Sequence, residues 1–190
     1  MKIILASKSP RRREIFSTVA EERGFEFEII TRETDEELYG EHPATGVATL
    51  AVRKGAAVFS EHPDALVVSS DTLVELGGVP LGKPRDEIDA HDMLRTLSGK
   101  THNVHTGIAV HYRDRVLSGV ATTRVTFREL SDAEIDAYLA TGEPMDKAGA
   151  YGIQGKGGAL VSGYDGELDT VVGFNRALLE HLMSEATEND

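Results

Sequence analysis

The stretch KIILASKSPRRREIFSTVAEERGFEFEII, residues 2–30, predicts the first structural unit and with it the fold class. Its apolar start is typical of a short buried strand, and Ser9 followed by Pro10 suits the N-cap and first position of a helix. Gly24 is a natural helix end, and the alternation in FEFEII is that of a half-buried strand. A strand, a helix and a second strand in this order indicate an α/β protein.

The rest of the sequence continues this alternation and adds antiparallel hairpins. We predict, in chain order, a helix over 43–59, a strand over 65–70 that ends at Asp71, a hairpin at 77–78, a helix over 86–97, a long hairpin turning at 113–114, a short helix from 131 and a last helix from about 175. Hairpins among β-α units favour a mixed, elongated β-sheet flanked by helices. We expect one domain over residues 1–190, with a frayed acidic tail at about 185–190.

The composition excludes several classes of protein. The 190 residues include 20 Lys and Arg against 32 Asp and Glu, a formal net charge of −12, so we expect neither nucleic acid nor a membrane as a partner. The absence of cysteine excludes disulfides and zinc–thiolate sites. The first apolar run is interrupted by Ser7-Lys8, too early for a signal peptide, and a cytoplasmic protein is the expectation.

Three consecutive arginines stand out on this acidic chain, in SKSPRRR at residues 7–13. A strand followed by small hydroxyl residues and a helix start brings together backbone N–H groups and the positive end of a helix dipole, which favours phosphate. Arginines in the first turn oppose that dipole, and an anionic ligand bound by both would explain their presence. A solvated basic surface explains them equally well.

Four other charged residues are candidates for chemistry. Asp71 follows an apolar strand, and ligands of open α/β sheets bind near the carboxyl ends of strands. Its carboxylate could hold Mg²⁺ or accept a proton from water, and Glu36 could share such a metal. Lys54 and Lys83 could bind phosphate. Taken singly, Asp71 is also compatible with an ordinary turn residue, and the others with surface residues.

A glycine-rich segment covers residues 149–166, which contain seven of the chain's 19 glycines. Its backbone must bend tightly or approach another group closely. That group could be a nucleotide, but the segment contains neither G-x-x-x-x-G-K-[ST] nor G-x-G-x-x-G, which disfavours a P-loop NTPase and a dinucleotide-binding protein. His102 and His105 are three residues apart in a predicted strand and so point to opposite faces, and no histidine metal site is expected.

Five segments of the chain together resemble the signature blocks of the Maf family of nucleoside triphosphate pyrophosphatases. They are LASKSPRR (5–12), SSDTLV (69–74), GKPRD (82–86), LSGKTHNVHTG (97–107) and EPMDKAGAYGIQGKGG (143–158). The resemblance implies a mixed α/β fold with two lobes around a central cleft, often as a homodimer. It also implies hydrolysis of a nucleoside triphosphate substrate to the monophosphate and pyrophosphate with a divalent cation, Mg²⁺ or Mn²⁺.

The same resemblance assigns roles to individual residues. Asp71 matches the family's catalytic aspartate, which activates the water that attacks the α-phosphorus and which also binds the metal. Glu36 matches a second metal ligand, with Asp35 as the alternative because the alignment within ETDEE can shift by one residue. The positions that match phosphate-binding residues of the family are Ser7, Arg12, Lys54 and Lys83.

Three further positions, Arg11, Thr72 and Gln154, resemble the subgroup of the family that acts on dTTP and UTP. A cation beside a pyrimidine edge and a side-chain amide that can pair with its O4/N3 pattern fit such a base. The subgroup that acts on 7-methyl-GTP has an aromatic residue in place of Arg11, as expected for stacking on a methylated purine. The resemblance therefore favours pyrimidine nucleotides, whether normal or modified.

Two other functions stay open at this point. One is a 7-methyl-GTP pyrophosphatase, and the other is a nucleotide-binding regulator of septum formation and cell division with little turnover. The chain departs from the family pattern at Ser69-Ser70, where Gly-Ala is commoner, and at Phe174-Asn175, where Leu-Pro is usual. These departures bear on the shape of the expected cleft and on the start of the last helix.

Overall fold

The protein, as a computed structural model that describes residues 1–38 and 40–188, has a mixed α/β fold. The strands are β1 (Ile3–Leu5), β2 (Glu28–Ile29), β3 (Leu66–Leu76), β4 (Val79–Leu81), β5 (Thr101–Tyr112), β6 (Arg115–Phe127) and β7 (Val161–Asp165). The helices are α1 (Pro10–Arg23), α2 (Pro43–Phe59), α3 (Glu87–Leu97), α4 (Asp132–Leu139), α5 (Leu168–Val172) and α6 (Arg176–Thr187), with three short 3₁₀ helices at Glu143–Asp146, Ala148–Ala150 and Lys156–Leu160. The strands form one sheet in the order β2-β1-β3-β5-β6-β7, with β4 paired to β3. The predicted mixed sheet flanked by helices is confirmed.

The opening β-α-β unit forms as predicted, but its second strand is shorter. Ser9 caps α1 by accepting a hydrogen bond from a backbone N–H of the first turn, and Gly24 ends the helix with a φ of 71°. β1 pairs in parallel with both β2 and β3. The strand predicted over FEFEII is wrong for its first half, where the rings of Phe25 and Phe27 pack edge-on against Phe16 of α1.

β3 is longer than predicted and carries Asp71 in its middle instead of at its end. Residues 66–68 of β3 pair in parallel with β1, and residues 74–76 pair antiparallel with β4. The predicted strand end at Asp71 is wrong because this second pairing continues the strand beyond the aspartate. Asp71 still lies past the last residue of β3 that pairs with β1, so it extends beyond the carboxyl end of the parallel part of the sheet.

The other predicted helices and hairpins form at their predicted places. Gly77 and Gly78 turn the chain between β3 and β4 with φ values of 61° and 84°, a region that favours glycine. The side chains that cap the helices are Asp86 for α3, Ser131 for α4 and Asn175 for α6. The sequence pattern predicted no element for β7, α5 or the 3₁₀ helices, which all lie in or next to the glycine-rich segment.

The last helix extends further than predicted. α6 includes residues 185–187, which were assigned to a frayed tail, and Ala186 is only 4% exposed because it packs into the core. The fraying predicted for residues 185–187 is therefore wrong. Asn189 and Asp190, the end of that tail, lie outside the described residues.

The chain divides into two compact units, each built from separate segments. The first unit comprises Met1–Asp71, Thr106–Ala121 and Gly173–Asp190, and the second unit comprises Thr72–His105 and Thr122–Val172. A core of the first unit joins apolar side chains of β1, β3, β5, α1 and α6, and the core of the second unit joins those of α3, α4, β5, β6 and the glycine-rich segment. Within residues 1–38 and 40–188, no helix is both long and apolar enough to cross a membrane.

Candidate functional site

The turn between β1 and α1 holds a fixed shape at the end of β1. Ala6 N–H donates a hydrogen bond to the carbonyl of Val68 on β3 at 2.7 Å, where the chain leaves the strand. Ser7 is 6% exposed, and its Oγ accepts a hydrogen bond from Ser9 N–H at 3.2 Å. Ser9 then caps the helix. The turn that carries the predicted phosphate residues is thus set by hydroxyl and backbone hydrogen bonds.

The side chain of Arg12 donates hydrogen bonds to two backbone carbonyls and also lies near Asp71. Its Nε donates to the carbonyl of Gly173, and its Nη1 donates to the carbonyl of Ser70, each at 2.9 Å. Its Nη2 lies 3.9 Å from Asp71 Oδ1, and both side chains are 13% exposed. Burial lowers the pKa of Arg12, while Asp71 acts in the opposite direction, and the guanidinium stays charged. Arg12 therefore fixes part of this site in addition to its predicted contact with phosphate.

The two serines that precede Asp71 are buried and hydrogen-bonded. Ser69 Oγ donates to the carbonyl of Ala51 on α2 at 2.7 Å, and Ser70 Oγ donates to the carbonyl of Gly173 at 3.0 Å. Gly173 O thus accepts from both Ser70 and Arg12. This departure from the family pattern adds hydrogen bonds that link β3 to α2 and to the start of the C-terminal segment.

Lys54 of α2 joins the two predicted acidic residues. Its Nζ lies 3.0 Å from Asp71 Oδ2 and 2.7 Å from Glu36 Oε1. The Lys54 and Asp71 side chains are mostly buried, whereas that of Glu36 is 56% exposed. Asp35, the alternative metal ligand, uses its Oδ1 to accept a hydrogen bond from Glu37 N–H at 2.9 Å. The structure therefore brings Arg12, Lys54, Asp71 and Glu36 together within the first unit.

The formal charges of these four side chains cancel, because the group contains two cations and two carboxylates. A triphosphate bound to this group would need further positive charge, from a metal ion or from other cationic side chains. Oxygens of Asp71 and Glu36 already approach one cation, the Lys54 ammonium. Mg²⁺ typically binds one or two carboxylates together with phosphate oxygens, so the donor set fits such an ion. In the part of the chain that the structure describes, no three His, Asp or Glu side chains form a metal cluster by themselves.

The other predicted site residues are placed as follows. Arg11 is half-buried in the first turn of α1, in the first unit. Thr72 follows Asp71 on β3 and opens the second unit. Lys83 is exposed in the loop between β4 and α3, where the carbonyl of Gly82 accepts a hydrogen bond from Gly149 N–H at 3.0 Å. Gln154 is exposed at the centre of a turn over residues 153–155 in the second unit.

Glu143 organises the glycine-rich segment, although the sequence pattern does not mark it as a functional residue. Its Oε1 accepts hydrogen bonds from Tyr138 O–H at 2.8 Å and from Gly157 N–H at 3.0 Å, and its Oε2 accepts one from Lys156 N–H at 2.9 Å. Tyr138 Oη also accepts a hydrogen bond from Gly152 N–H at 3.1 Å. These backbone N–H groups thus bind protein oxygens, which argues against the open expectation that the segment approaches a nucleotide through them.

The charge state of Glu143 matches this arrangement. Burial raises the pKa of its carboxyl group, but hydrogen bonds from Gly157, Lys156 and Tyr138 outweigh that effect and hold the pKa below its ordinary value. Burial also raises the pKa of Tyr138, which stays a hydrogen-bond donor. The sequence does show an acidic residue, Glu143, shortly before the glycine-rich segment. It does not show which backbone groups this residue binds, because those depend on the path of the chain.

A fully buried carboxylate, Glu75 on β3, also belongs to the second unit. It accepts hydrogen bonds from Gly78 N–H at 2.5 Å and Asn103 Nδ2 at 2.9 Å, and its Oε2 lies 3.2 Å from His105 Nε2. The Asn103 side chain, then Gly78 and His105, hold the pKa of Glu75 at about 2 against the opposing effect of burial. His102 instead lies 2.8 Å from Tyr151 Oη, so the two histidines of this strand have different partners.

The chain is similar to several known proteins over most of its length. The family model described as Maf-like protein matches residues 2–186. A dTTP/UTP pyrophosphatase from Moorella thermoacetica is 47% identical over 186 residues, covering 96% of this chain and 94% of the relative. Proteins with the same description from Bacillus cereus and Aquifex aeolicus are 46% and 43% identical, covering 91% and 97% of this chain and 89% and 95% of their own lengths.

A solved structure shares the fold at low sequence identity. The crystal structure of a nucleoside-triphosphatase/dITP/XTP pyrophosphatase from Mycobacterium abscessus superposes with a TM-score of 0.52 and 14% identity. The match covers 99% of this chain and 95% of the other. At this identity the likeness shows the fold alone.

Proposed function

Because the chain belongs to the Maf family, we propose that it is a pyrophosphatase that hydrolyses dTTP and UTP to the nucleoside monophosphate and pyrophosphate. The observation that carries the proposal is the position of Lys54 Nζ, within 3.0 Å of Asp71 and 2.7 Å of Glu36. Such a group offers carboxylate oxygens for a proton or a metal ion and a cation for phosphate. This combination suits water attack on a phosphate ester or anhydride.

In the proposed reaction Asp71 accepts a proton from water as the water oxygen forms a bond to the α-phosphorus. The bond between that phosphorus and the α–β bridging oxygen breaks, and the electron pair leaves with pyrophosphate. No covalent intermediate with the protein forms. Ser7, Arg12, Lys54 and Lys83 bind the phosphates, with Lys54 exchanging its carboxylate partners for phosphate oxygens. General-base help of this kind typically contributes roughly 10²–10⁴ in rate.

Asp71 and Glu36 would hold a divalent cation, Mg²⁺ or Mn²⁺. When bound, such an ion neutralises phosphate charge and polarises the phosphoryl oxygens. The cancelled charge of the four-residue group supports this part of the proposal, because its two cations are already balanced by its two carboxylates.

Recognition of the base is assigned to Arg11, Thr72 and Gln154. A side-chain amide can accept from N3–H and donate to O4 of uracil or thymine. The relatives from three organisms that carry the dTTP/UTP description support this choice over 7-methyl-GTP.

One experiment tests the proposed function. Purified protein is incubated with Mg²⁺ and, separately, with UTP, dTTP, CTP, GTP and 7-methyl-GTP, and the products are resolved by ion-exchange chromatography. We expect UMP or dTMP with pyrophosphate as the main products. Faster turnover of 7-methyl-GTP would contradict the pyrimidine preference, and tight nucleotide binding without turnover would instead support a regulatory protein.

The same assay on two matched variants tests the role of the aspartate. Asp71→Asn keeps the shape of the side chain but removes its basicity, and we expect it to abolish most of the turnover. Asp64→Asn changes an exposed aspartate just before β3 and should retain wild-type rates. Equal activity in both variants would show that Asp71 is not the base.

We also propose that the protein acts in the cytoplasm as a homodimer. The dimer rests on the family resemblance. The location rests on the interruption of the first apolar run by Ser7-Lys8, and the absence of cysteine agrees with a reducing compartment. Size-exclusion chromatography with light scattering measures the mass, which should be twice 20.6 kDa. A single species at the monomer mass over the working concentration range would contradict the dimer.

A further inference from the structure

The turn that carries Gln154 is anchored on both sides by one pair of side chains. From this geometry we infer that Glu143 is a positioning residue that fixes this turn and thereby the selection of the base. The inference rests on the proposed function, in which Gln154 reads the pyrimidine. Glu143 itself has no assigned contact with substrate.

The anchoring bonds bracket the turn in sequence. Tyr138 Oη binds the N–H of Gly152, just before the turn over residues 153–155, and Glu143 binds the N–H groups of Lys156 and Gly157, just after it. Tyr138 also donates to Glu143, so the two anchors form one connected network. A shift of either end of the turn would break a hydrogen bond, to Tyr138 at the start of the turn or to Glu143 at its end.

Three glycines around the turn have no room for a side chain next to Glu143, Tyr138 and Lys147. A Cβ on Gly155 would collide with Glu143 Oε2, and one on Gly157 would lie 2.6 Å from Tyr138 Oη. A Cβ on Gly152 would lie 2.7 Å from Cε of Lys147. The ammonium group of Lys147 donates a hydrogen bond to the carbonyl of Glu143 at 3.2 Å. The glycines therefore allow the backbone to approach this network, which accounts for three of the seven glycines in the segment.

Fixing the turn matters for the chemistry of recognition. Uracil and thymine present an O4 acceptor and an N3–H donor, whereas cytosine presents an N4–H₂ donor and an N3 acceptor. A glutamine amide carries both an acceptor and a donor and can match either pattern if it moves or rotates freely. Selection of UTP over CTP therefore depends on where the amide of Gln154 is placed, and Glu143 fixes the backbone position from which that side chain extends.

The test measures kcat/KM for UTP and for CTP in four variants of the 190-residue protein. Glu143→Gln keeps the size of the side chain but replaces one carboxylate oxygen with an NH₂ that cannot accept a hydrogen bond. We expect it to lower the UTP/CTP selectivity about tenfold. Gln154→Ala should lower it at least as much, and Glu143→Gln combined with Gln154→Ala should show the selectivity of Gln154→Ala alone.

Glu134→Gln is the matched control. Glu134 also accepts a hydrogen bond from a backbone N–H, that of Ser131 at 2.9 Å in the capping box of α4.

Each outcome decides for or against the inference. A loss of selectivity in Glu143→Gln but not in Glu134→Gln, absent on the Gln154→Ala background, supports it. Equal losses for UTP and CTP in Glu143→Gln, or additive losses in the double variant, would overturn it. Should Glu143→Gln fail to fold, Tyr138→Phe removes the hydroxyl that links Gly152 to Glu143 and should lower the selectivity about threefold. Wild-type protein without UTP or dTTP turnover would refute the proposed function instead, which keeps the two failures distinct.

Discussion

Asp71 in the first unit and Glu143 in the second unit are both partly buried carboxylates, but they are held in different ways. Asp71 lies near the side-chain cations of Lys54, at 3.0 Å, and Arg12, at 3.9 Å. Glu143 accepts hydrogen bonds from two backbone N–H groups and a tyrosine hydroxyl. A lysine side chain can rotate towards another anion, whereas a backbone N–H in a folded segment cannot.

This difference separates a site that can exchange partners from one that cannot. The cation at Asp71 can be shared with a phosphate or replaced by a metal, so the carboxylate can take part in a reaction. The donors at Glu143 keep their partner as long as the segment stays folded. Variants near Asp71 should therefore change catalysis more than stability, and variants of the backbone-held carboxylates should change stability first.

The largest effect is expected for Lys54→Gln. Removal of this ammonium leaves Asp71 and Glu36 without the cation they share and removes a phosphate ligand, so kcat/KM for UTP should fall by about 10²–10³. Arg53→Gln is the matched control, because Arg53 is the neighbouring cation on α2 and its Nη1 donates to the carbonyl of Glu37. Steady-state kinetics of both variants checks this, and similar small losses in both would contradict the role of Lys54.

The next largest effect concerns Glu75 and pH. Because the pKa of Glu75 is about 2 in the folded state against 4.5 ordinarily, its ionised form stabilises the fold above about pH 4.5, and this contribution is lost as the pH falls towards 2. The contribution at neutral pH is about 3 kcal/mol. The difference in unfolding free energy between wild type and Glu75→Gln, from urea titrations, should shrink as the pH is lowered from 5 to about 2. A difference that does not change with pH would contradict this account.

A smaller effect on stability separates Glu143 from Glu36. Glu143→Ala leaves the N–H groups of Lys156 and Gly157 without their partner, so the free energy of unfolding should fall by about 2 kcal/mol. Glu36 is 56% exposed, and Glu36→Ala should change that free energy by about 0.5 kcal/mol or less, while it lowers turnover. Urea titrations and kinetics on both variants measure the contrast. Comparable stability losses would remove the distinction between the two kinds of carboxylate.

The smallest effect is expected for Arg12→Ala. Loss of the guanidinium should raise KM for UTP about tenfold, because a phosphate ligand is missing from a protein of net charge −12. The melting temperature should fall as well, since the carbonyl of Ser70 loses its hydrogen bond from Arg12 and the carbonyl of Gly173 keeps only the one from the Ser70 hydroxyl. Arg13→Ala changes an exposed neighbour and serves as the control. An unchanged KM would place Arg12 outside the phosphate site.

Local signals in the sequence were sufficient for most of the fold. Ser9-Pro10, Asp86 and Asn175 act through neighbouring backbone groups, and the helices they begin were predicted correctly. The extent of β3 was not predicted, because the strand continues past a charged residue through its pairing with neighbouring strands, β4 among them. Whether a charged residue ends a strand depends on such partners, which the local pattern does not contain.

In the candidate site, too, some residues could be predicted from the sequence and others depend on distant contacts. Asp71 and Glu36 were named from the sequence and their family resemblance, and the structure brings both to Lys54. Glu143 was missed because its importance depends on contacts with Lys156 and Gly157, which follow it by more than ten residues along an irregular path. A glycine-rich segment predicts a close approach, but the group approached has to be seen in the structure.

In the proposed reaction, this site directs water to the α-phosphorus of a pyrimidine nucleoside triphosphate. Hydrolysis of UTP in ¹⁸O-labelled water, followed by mass spectrometry of the products, tests it most directly. The account predicts that the label enters UMP and that pyrophosphate stays unlabelled. Label in pyrophosphate, or in inorganic phosphate released with UDP, would show attack at another phosphorus and would contradict the claim.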